Sequence, residues 1–488
     1  MTDEALRRRD VDDAEPAATD WQPDPRRWRV LGVTLVVGFM SLLDVTIVNV
    51  AIPSMRAGLE ASTSGIQWVV SGYALAFGLT LVAGGRLGDA YGRRRMMLIG
   101  LTGFVLSSAA VGLAPNVETL VAARLAQGAS AGLLTPQNSG LIQQLFRGAE
   151  RGRAFGMFGF TVATASALGP ILGGVIIAVA GEEQGWRWLF LINIPIGAVA
   201  AVAIARLVPG RPPEQEGRPW IDLPGAALLG LVVLCVLFPL VSAEGGARLP
   251  LLLVPLALPL GWAFVRWERR LRVRGRPPLL DVSLLRRTPG YAGGLVVGAL
   301  YFTGFTGIFL VLSVHLQESL GLSALQAGAL TTPFAVGAAV TAPPAGRLVS
   351  RIGRRITVLA LGSMMTGVAL VALLVPGRDD VTALVWVMVP TLLLAGLGGG
   401  GVISPNFTLT LAEVPPEMGG AAGGALQTVQ RIGSALGAAL LMTAYGLAGG
   451  ADAPETALRA ALLTSLAVLA LALVTAVRAD RATETPRG

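Results

Sequence analysis

The sequence predicts an all-α polytopic membrane protein: two pseudo-symmetric six-helix bundles, a central two-helix insert, fourteen transmembrane helices and both termini cytoplasmic. Three observations predict it. Of 488 residues, 53% are hydrophobic and only 14% charged, where a soluble chain carries about 25% charged residues. Apolar runs recur from Val30 to Val477, each about the 20 residues that cross a bilayer as a helix. The arginines fall between those runs, predominantly on alternate sides. Together these exclude a soluble globule, a disordered chain and a fibre.

The runs lie near 30–52, 66–85, 96–114, 118–141, 154–180, 186–208, 222–243, 249–266, 289–314, 325–346, 357–375, 381–403, 420–447 and 457–477. The chain has no lysine, so its 38 basic residues are all arginines. With the N-terminus inside, 31 of them fall on inner segments. Only Arg56, Arg187, Arg248, Arg378 and Arg459 fall on outer loops. That bias is the signature of loops held at an anionic cytoplasmic face, and an odd number of spans would break it. The net charge of +8 is therefore assigned to loops. No basic stretch is long enough to make a nucleic-acid-binding module, so nucleic acid is not expected as a partner.

Met1–Arg29 is polar and lacks the apolar core and cleavage site of a signal peptide, so the first span is expected to direct insertion. The single cysteine, Cys235, lies inside an apolar run and reads as a packed thiol. The single histidine, His315, lies at the outer end of the ninth run and reads as a solvated edge residue. No metal site is expected from one histidine.

The chain repeats itself. Gly85-Arg86-Leu87-Gly88-Asp89-Ala90-Tyr91-Gly92-Arg93-Arg94 follows the second run, and Gly346-Arg347-Leu348-Val349-Ser350-Arg351-Ile352-Gly353-Arg354-Arg355 follows the tenth. Glycines, leucine and paired arginines coincide, as in transporters built from duplicated halves. The organisation is a tail (1–29), a six-helix bundle (30–208), a linker with two extra helices and a basic loop (209–288), a second six-helix bundle (289–477) and a tail (478–488). A short turn containing Gly92 lets two helices approach closely, and Asp89 at a helix end can accept from amide N–H groups of a neighbouring helix. Gly85, Asp89, Gly92, Arg93 and Arg94 are the candidate conformational latch.

Three charges fall inside runs: Asp44, Arg124 and Arg431. An ionised carboxylate at that depth costs several kcal/mol, so Asp44 must take up a proton or find a cation. That is what a proton-coupled carrier needs; the plainer alternative is a carboxyl bonded to Asn49 or to backbone. Arg124 cannot usefully deprotonate and must meet water, an acid or carbonyls. It would balance Asp44 in one state or organise a polar cavity with Gln127. Arg431 reads more plainly, as a charge near the start of its helix. Asn49, Gln67, Trp68, Tyr73, Gln127, Gln137, Asn138, Tyr301, Gln427 and Gln430 are polar or aromatic groups on spans. As a set they would line a cavity near the midplane, with aromatic faces suited to flat lipophilic cations or neutral rings.

The stretch Gly85–Arg94 resembles the second-to-third-helix loop of the major facilitator superfamily. Other stretches are similar to its fourteen-helix drug/proton antiporters: Leu43–Pro53 to their first-helix signature, Arg124-Leu125-Ala126-Gln127-Gly128 to the fourth-helix motif, and Trp186–Pro195 to the start of the sixth helix. Gly169-Pro170-Ile171-Leu172-Gly173-Gly174, with Gly156 upstream, resembles the fifth-helix antiporter motif. Position 165 departs from it, being Ala where that motif has Gly, which should loosen the helix contact. Ser350 stands where the first loop copy has Asp89, so a carboxylate latch is confined to the first half.

The resemblance implies a proton-driven antiporter exporting lipophilic small molecules, drugs or antibiotics, by alternating access. It also implies that Arg124 takes part in proton transfer and that the fifth-helix motif goes with export. No cofactor is expected beyond the proton gradient, and the expected partners are the substrate, protons and the lipid bilayer. The chain reads as a functional monomer in a bacterial inner membrane. Its Ala-, Arg- and Gly-rich, lysine-free composition suggests a G+C-rich genome, where a self-made antibiotic is as natural a cargo as a foreign drug. An uptake symporter on the same scaffold and a receptor without transport are the alternatives. An enzyme is not expected, because no histidine pair or catalytic cysteine offers a site.

Overall fold

The computed structural model describes residues 22–181, 183–210, 220–244 and 249–484. Most of the N-terminal tail, the linker residues 211–219 with Arg211 and Arg218, Arg248 and Arg487 lie outside the described residues. Helices carry the architecture of the described residues. The first six are α1 (Arg27–Gly58), α2 (Thr63–Tyr91), α3 (Arg93–Gly112), α4 (Val117–Leu145), α5 (Gly148–Ala180) and α6 (Gly185–Leu207, interrupted at Ile192). Two more, α7 (Leu223–Glu244) and α8 (Leu249–Val273), form the insert. The second six are α9 (Pro289–Val314), α10 (Ala324–Ile352), α11 (Arg355–Leu374), α12 (Val381–Thr410), α13 (Gly419–Leu447) and α14 (Pro454–Glu484).

Twelve of these are long and apolar enough to cross a membrane. The other two, α4 and α13, are as long, at 29 residues each, but carry the polar side chains of the interior. Several helices outrun their apolar windows at one end of the bundle. There α2 continues to Tyr91, α10 to Ile352 and α12 to Thr410. That is the arginine-rich end, where Arg27 at the start of α1 pairs with Glu150 at the start of α5 at 2.9 Å.

Several helices that start at the opposite end are closed by their own side chains: Ser62 accepts from the Gly65 amide, Asn116 from Thr119, and Asp380 from Ala383. Ser323 and Gln326 form a capping box at the start of α10. Helices α3, α5, α11 and α13, which start at the arginine-rich end, have no side-chain cap of their own. Their first amides are left for another partner.

Two seams join the halves, α2 against α13 and α5 against α10, related by the internal repeat. Both are glycine contacts. A Cβ at Gly85 would strike the Gly420 carbonyl, and one at Gly346 would strike the Gly152 carbonyl. The repeated glycine spacing thus serves close backbone approach across the halves. The turns that follow are equivalent too: Gly92 has φ +93° and Gly353 φ +58°, where a side chain is strained.

The seams close at the arginine-rich end only. Hydrogen bonds cross there: the Gly420 and Ala421 amides donate to Asp89, Arg93 to the Pro416 carbonyl, Gln143 to Leu411 and Arg151 to Ala412. Along α5 the stripe Gly152, Gly156, Gly159 touches the second half. Further along the same face Ser166 and Pro170 are exposed, and a Cβ at Gly174 would meet nothing within 4 Å. The halves therefore diverge away from the arginines.

The insert covers one seam. On α7, Val233 and Leu237 pack with Leu75 of α2, and with Ile432 and Ala435 of α13. Its foot is tied down by Asp222, which accepts from the Gly225 amide and the Trp267 indole, and by Glu268, which accepts from the Leu280 amide. Cys235 is buried within α7. His315 is 2% exposed in a π-helical turn that ends α9; it is buried, not at a solvated edge.

Replacing Gly92 with Val should cost about 1–3 kcal/mol of backbone strain and lower the thermal midpoint of the purified protein in detergent by several degrees. Gly174→Ala, placed in open space, should leave the midpoint unchanged. Equal midpoints for the two variants would contradict this account of the turn.

Candidate functional site

Asp44, near the middle of α1, is 2% exposed, and Arg124 on α4 is 1% exposed. They form an ion pair at 2.5 Å. The second carboxylate oxygen accepts from Gln127 at 2.9 Å and from Asn193 at 3.4 Å. Arg124 also donates to Gln127 Oε1 at 2.7 Å and to the Val69 carbonyl at 3.1 Å. Gln127 and Asn193 each donate to the Ser108 hydroxyl, at 2.7 and 3.3 Å. The guanidinium carbon lies 4.2 Å from the Tyr73 ring centre and 5.6 Å from that of Phe190.

The network thus ties together α1, α2, α3, α4 and α6, all in the first half. Helical spacing explains the α4 contribution: Arg124 and Gln127 are three apart and share a face. The chemistry is that of a switch. With Asp44 ionised, the pair is neutral as a unit. A proton on Asp44 removes the anion and leaves Arg124 with only carbonyls and ring faces.

Asn49 is not a partner of Asp44; it is exposed on α1. Asn193 and Ser108 hold positions the sequence reading did not assign. Asn193 lay within the stretch resembling the sixth-helix start, while nothing in the sequence marks Ser108 among other serines.

The latch residues divide. The Asp89 side chain is fully buried in its ion pair with Arg93 at 2.9 Å. It accepts from the Gly420 amide at 3.0 Å and the Ala421 amide at 2.8 Å. A carboxylate from the first half therefore caps α13 of the second, where a helix N-terminus favours an anion. Arg93 extends this to the Pro416 carbonyl at 2.8 Å. Arg94 instead lines a cleft with Asp24, Arg26 and Arg206, within the first half. At the other seam Ser350 donates to the Arg347 carbonyl of its own helix and is exposed, so α5 receives no equivalent cap.

The fifth-helix motif also divides. Gly156 faces Ala342 and Gly346 across the seam, whereas Gly169 and Gly173 face Thr46, Ile47 and Val50 of α1. Pro170 and Gly174 lie on the open continuation of the seam face. Ala165 is fully buried, and its carbonyl accepts from Thr46 at 3.2 Å.

The other polar candidates scatter. Gln67 is half-buried, and Trp68, partly exposed, leans on Phe238 of α7 at 5.9 Å. Gln137 donates to the Gly84 and Leu133 carbonyls, and Asn138 is buried against Gly38. Tyr301 donates to the Gly399 carbonyl and belongs to an aromatic row not assigned from the sequence. Phe305 stacks on it at 5.3 Å, and Phe334 of α10 on Phe305 at 5.2 Å. The spacing of residues 301, 305 and 309 was the available signal. Gln427 and Gln430 are buried on α13. Arg431 is not near its helix start: it sits twelve residues into α13, half-buried, 4.8 Å from the Phe77 ring centre of α2.

Two sequence-related helical halves, sealed together at one end and parted at the other, form the architecture of a membrane transporter. A family model described as the Major Facilitator Superfamily matches residues 34–438 and 294–487, and the chain belongs to that superfamily. It is a multi-pass membrane protein of a transporter family, not an enzyme. A probable actinorhodin transporter of Streptomyces coelicolor is 40% identical over 448 residues, 89% of this chain and 75% of that one. The puromycin resistance protein of Streptomyces alboniger is 36% identical, over 86% of this chain and 82% of its own. The tetracenomycin C resistance and export protein of Streptomyces glaucescens is 30% identical, over 85% and 75%. Among solved structures, the human organic anion transporter MFSD10 superposes with a TM-score of 0.65 at 18% identity, covering 91% of this chain and all of that one. At that identity it speaks to the fold alone.

Arg124→Gln, which strands the buried carboxylate, should destabilise the protein by about 3–5 kcal/mol. Pairing it with Asp44→Asn should recover part of that loss. A double-mutant cycle of unfolding in detergent reads the coupling, and additive effects would mean the pair contributes nothing as a pair.

Proposed function

We propose that this protein is a fourteen-span, proton-coupled exporter of lipophilic small molecules, working by alternating access between its halves in a bacterial inner membrane. On this reading α4 and α13 cross the bilayer with the other twelve, and the arginine-rich end and both termini are cytoplasmic. The arrangement described is then the outward-facing one, closed toward the cytoplasm. One observation carries the proposal: the acid inside the first span, Asp44, is held by a dismantlable network of partners drawn from four other helices.

A proton arriving from outside neutralises Asp44, frees Arg124 and loosens the packing of α1 against α4. The Asp89 cap on α13 then gives way, the cytoplasmic end opens, and substrate exchanges for the proton. Antibiotic export and resistance among the relatives support the direction and the cargo. With one such acid, one proton moves per cycle. A monocation exchanged for it is driven only by the pH gradient, about 1.4 kcal/mol per unit. A neutral cargo adds about 2.3 kcal/mol per 100 mV of membrane potential.

In proteoliposomes, Asp44→Asn should abolish proton release coupled to substrate while the protein still inserts; full proton-driven export by that variant would refute the assignment. Proton movement in the same direction as substrate would instead assign uptake by symport. Asp89→Ala should slow turnover at least several-fold and change substrate affinity less. An unchanged rate would remove the latch. Cargo is best found by drug susceptibility in an efflux-deficient bacterium, with and without a protonophore.

A further inference from the structure

Moving along α13 from its arginine-rich end, one face meets the first half in a graded series. Gly420 is clasped by Gly85 and Asp89, and Gly424 lies against the Leu81 carbonyl. The next two positions on that face are Gln427 and Arg431, two residues with long polar side chains at i and i+4. The glycines close the seam, and the donors begin where it parts.

Neither donor has found an acceptor. Gln427 is 7% exposed, and its amide nitrogen has no hydrogen-bond partner. Arg431 makes no hydrogen bond or ion pair among the described residues, and none of its nitrogens is sealed from solvent. Its guanidinium lies over the Phe77 ring face. Phe77 stacks in turn on Tyr73, with ring planes 8° apart and centroids at 6.1 Å. The far end of that aromatic pair carries Arg124 of the Asp44 network, over the Tyr73 ring.

A guanidinium at mid-membrane keeps its charge and demands water or an anion. A buried amide nitrogen without an acceptor makes the same demand. We propose that Arg431 and Gln427 are the acceptor-recognising groups of the substrate site, and that the cargo is an aromatic compound bearing an acidic oxygen group, a carboxylate or an ionised phenol. The acid would pair with Arg431 while its ring lies along Phe77 and Tyr73. A lipophilic cation would meet the arginine's repulsion, so this site selects against the cations that aromatic faces alone would favour. The inference rests on the exporter reading for the cargo's route, and it deepens that reading by naming the cargo's chemistry.

The test is equilibrium binding to the purified full-length protein, without any gradient. The probes are anthraquinone-2-carboxylate, its neutral carboxamide and tetraphenylphosphonium. The wild type should bind the carboxylate at least tenfold more tightly than either other probe. Arg431→Gln should weaken carboxylate binding tenfold or more and bring the carboxylate-to-carboxamide ratio to about one. Arg431→Lys should keep a reduced preference, because the charge stays but the planar fork is lost. Gln427→Leu should weaken both anthraquinones together and leave their ratio intact. A wild-type ratio near one, absence of carboxylate binding included, overturns the proposal without recourse to any variant; so does an unchanged ratio in Arg431→Gln. Loss of the ratio leaves proton-driven export standing, whereas failed export with the ratio intact refutes the exporter reading alone.

Discussion

A charge inside a bilayer must be answered, and most of this structure can be read as the answer to three of them. Asp44 and Arg124 answer each other, and Val69, Gln127 and Asn193 from three helices satisfy what remains of their hydrogen-bonding capacity, with Ser108 holding two of them. That convergence ties α1, α2, α3, α4 and α6 to one another. Arg431 meets the Phe77 ring face and no carboxylate among the described residues. The chain thus holds one closed charge network and one open one, which the proposed function reads as a proton site and a substrate site.

The two halves share a scaffold but not its chemistry. Both seams use glycine to bring backbones together, and both turn through a left-handed glycine at the same place in the repeat. Only one seam adds charge. Asp89 caps α13 with two amide bonds, while Ser350 turns back on its own helix and leaves α5 without such a cap. The insert lies over that same charged seam, with α7 packed on α2 and α13. Opening at the arginine-rich end therefore breaks unequal sets of bonds on the two sides of the molecule.

Much of this was legible in the sequence. Runs of apolar residues marked every long helix, because lipid tolerates little else at that length. The rarity of charge within runs singled out Asp44 and Arg124, and the repeated loop located both seams. What the sequence left dark has a physical pattern. Ser108 and Asn193 are short polar residues whose meaning depends on which helices touch, and periodicity carries no such information. Arg431 was misread because the first turns of its helix, Gly419 to Gly424, already lie in the buried seam, so a residue beyond them sits inside the protein and not at its edge. His315 was misread for a related reason: a polar residue at the end of a run can be covered by a neighbouring helix.

How a proton could move these seams follows from their composition. A glycine seam has contact area but no interlocking side chains, so its faces can part without repacking the interior, which elsewhere resists continuous deformation. What holds it is then the few directional bonds at one end, Asp89 foremost. A ligand shifts such an equilibrium only by its difference in affinity between the two states. The Asp44 network reaches α2 at Val69, away from the glycine contacts, so on the proposed coupling its influence would pass through something that reaches them. The Tyr73–Phe77 stack is the structure's candidate, with Arg124 on its inner side and Arg431 of the opposite half on its other. Releasing Arg124 from its carboxylate changes the charge felt by that stack, and the stack is where the second half rests just beyond the last glycine contact.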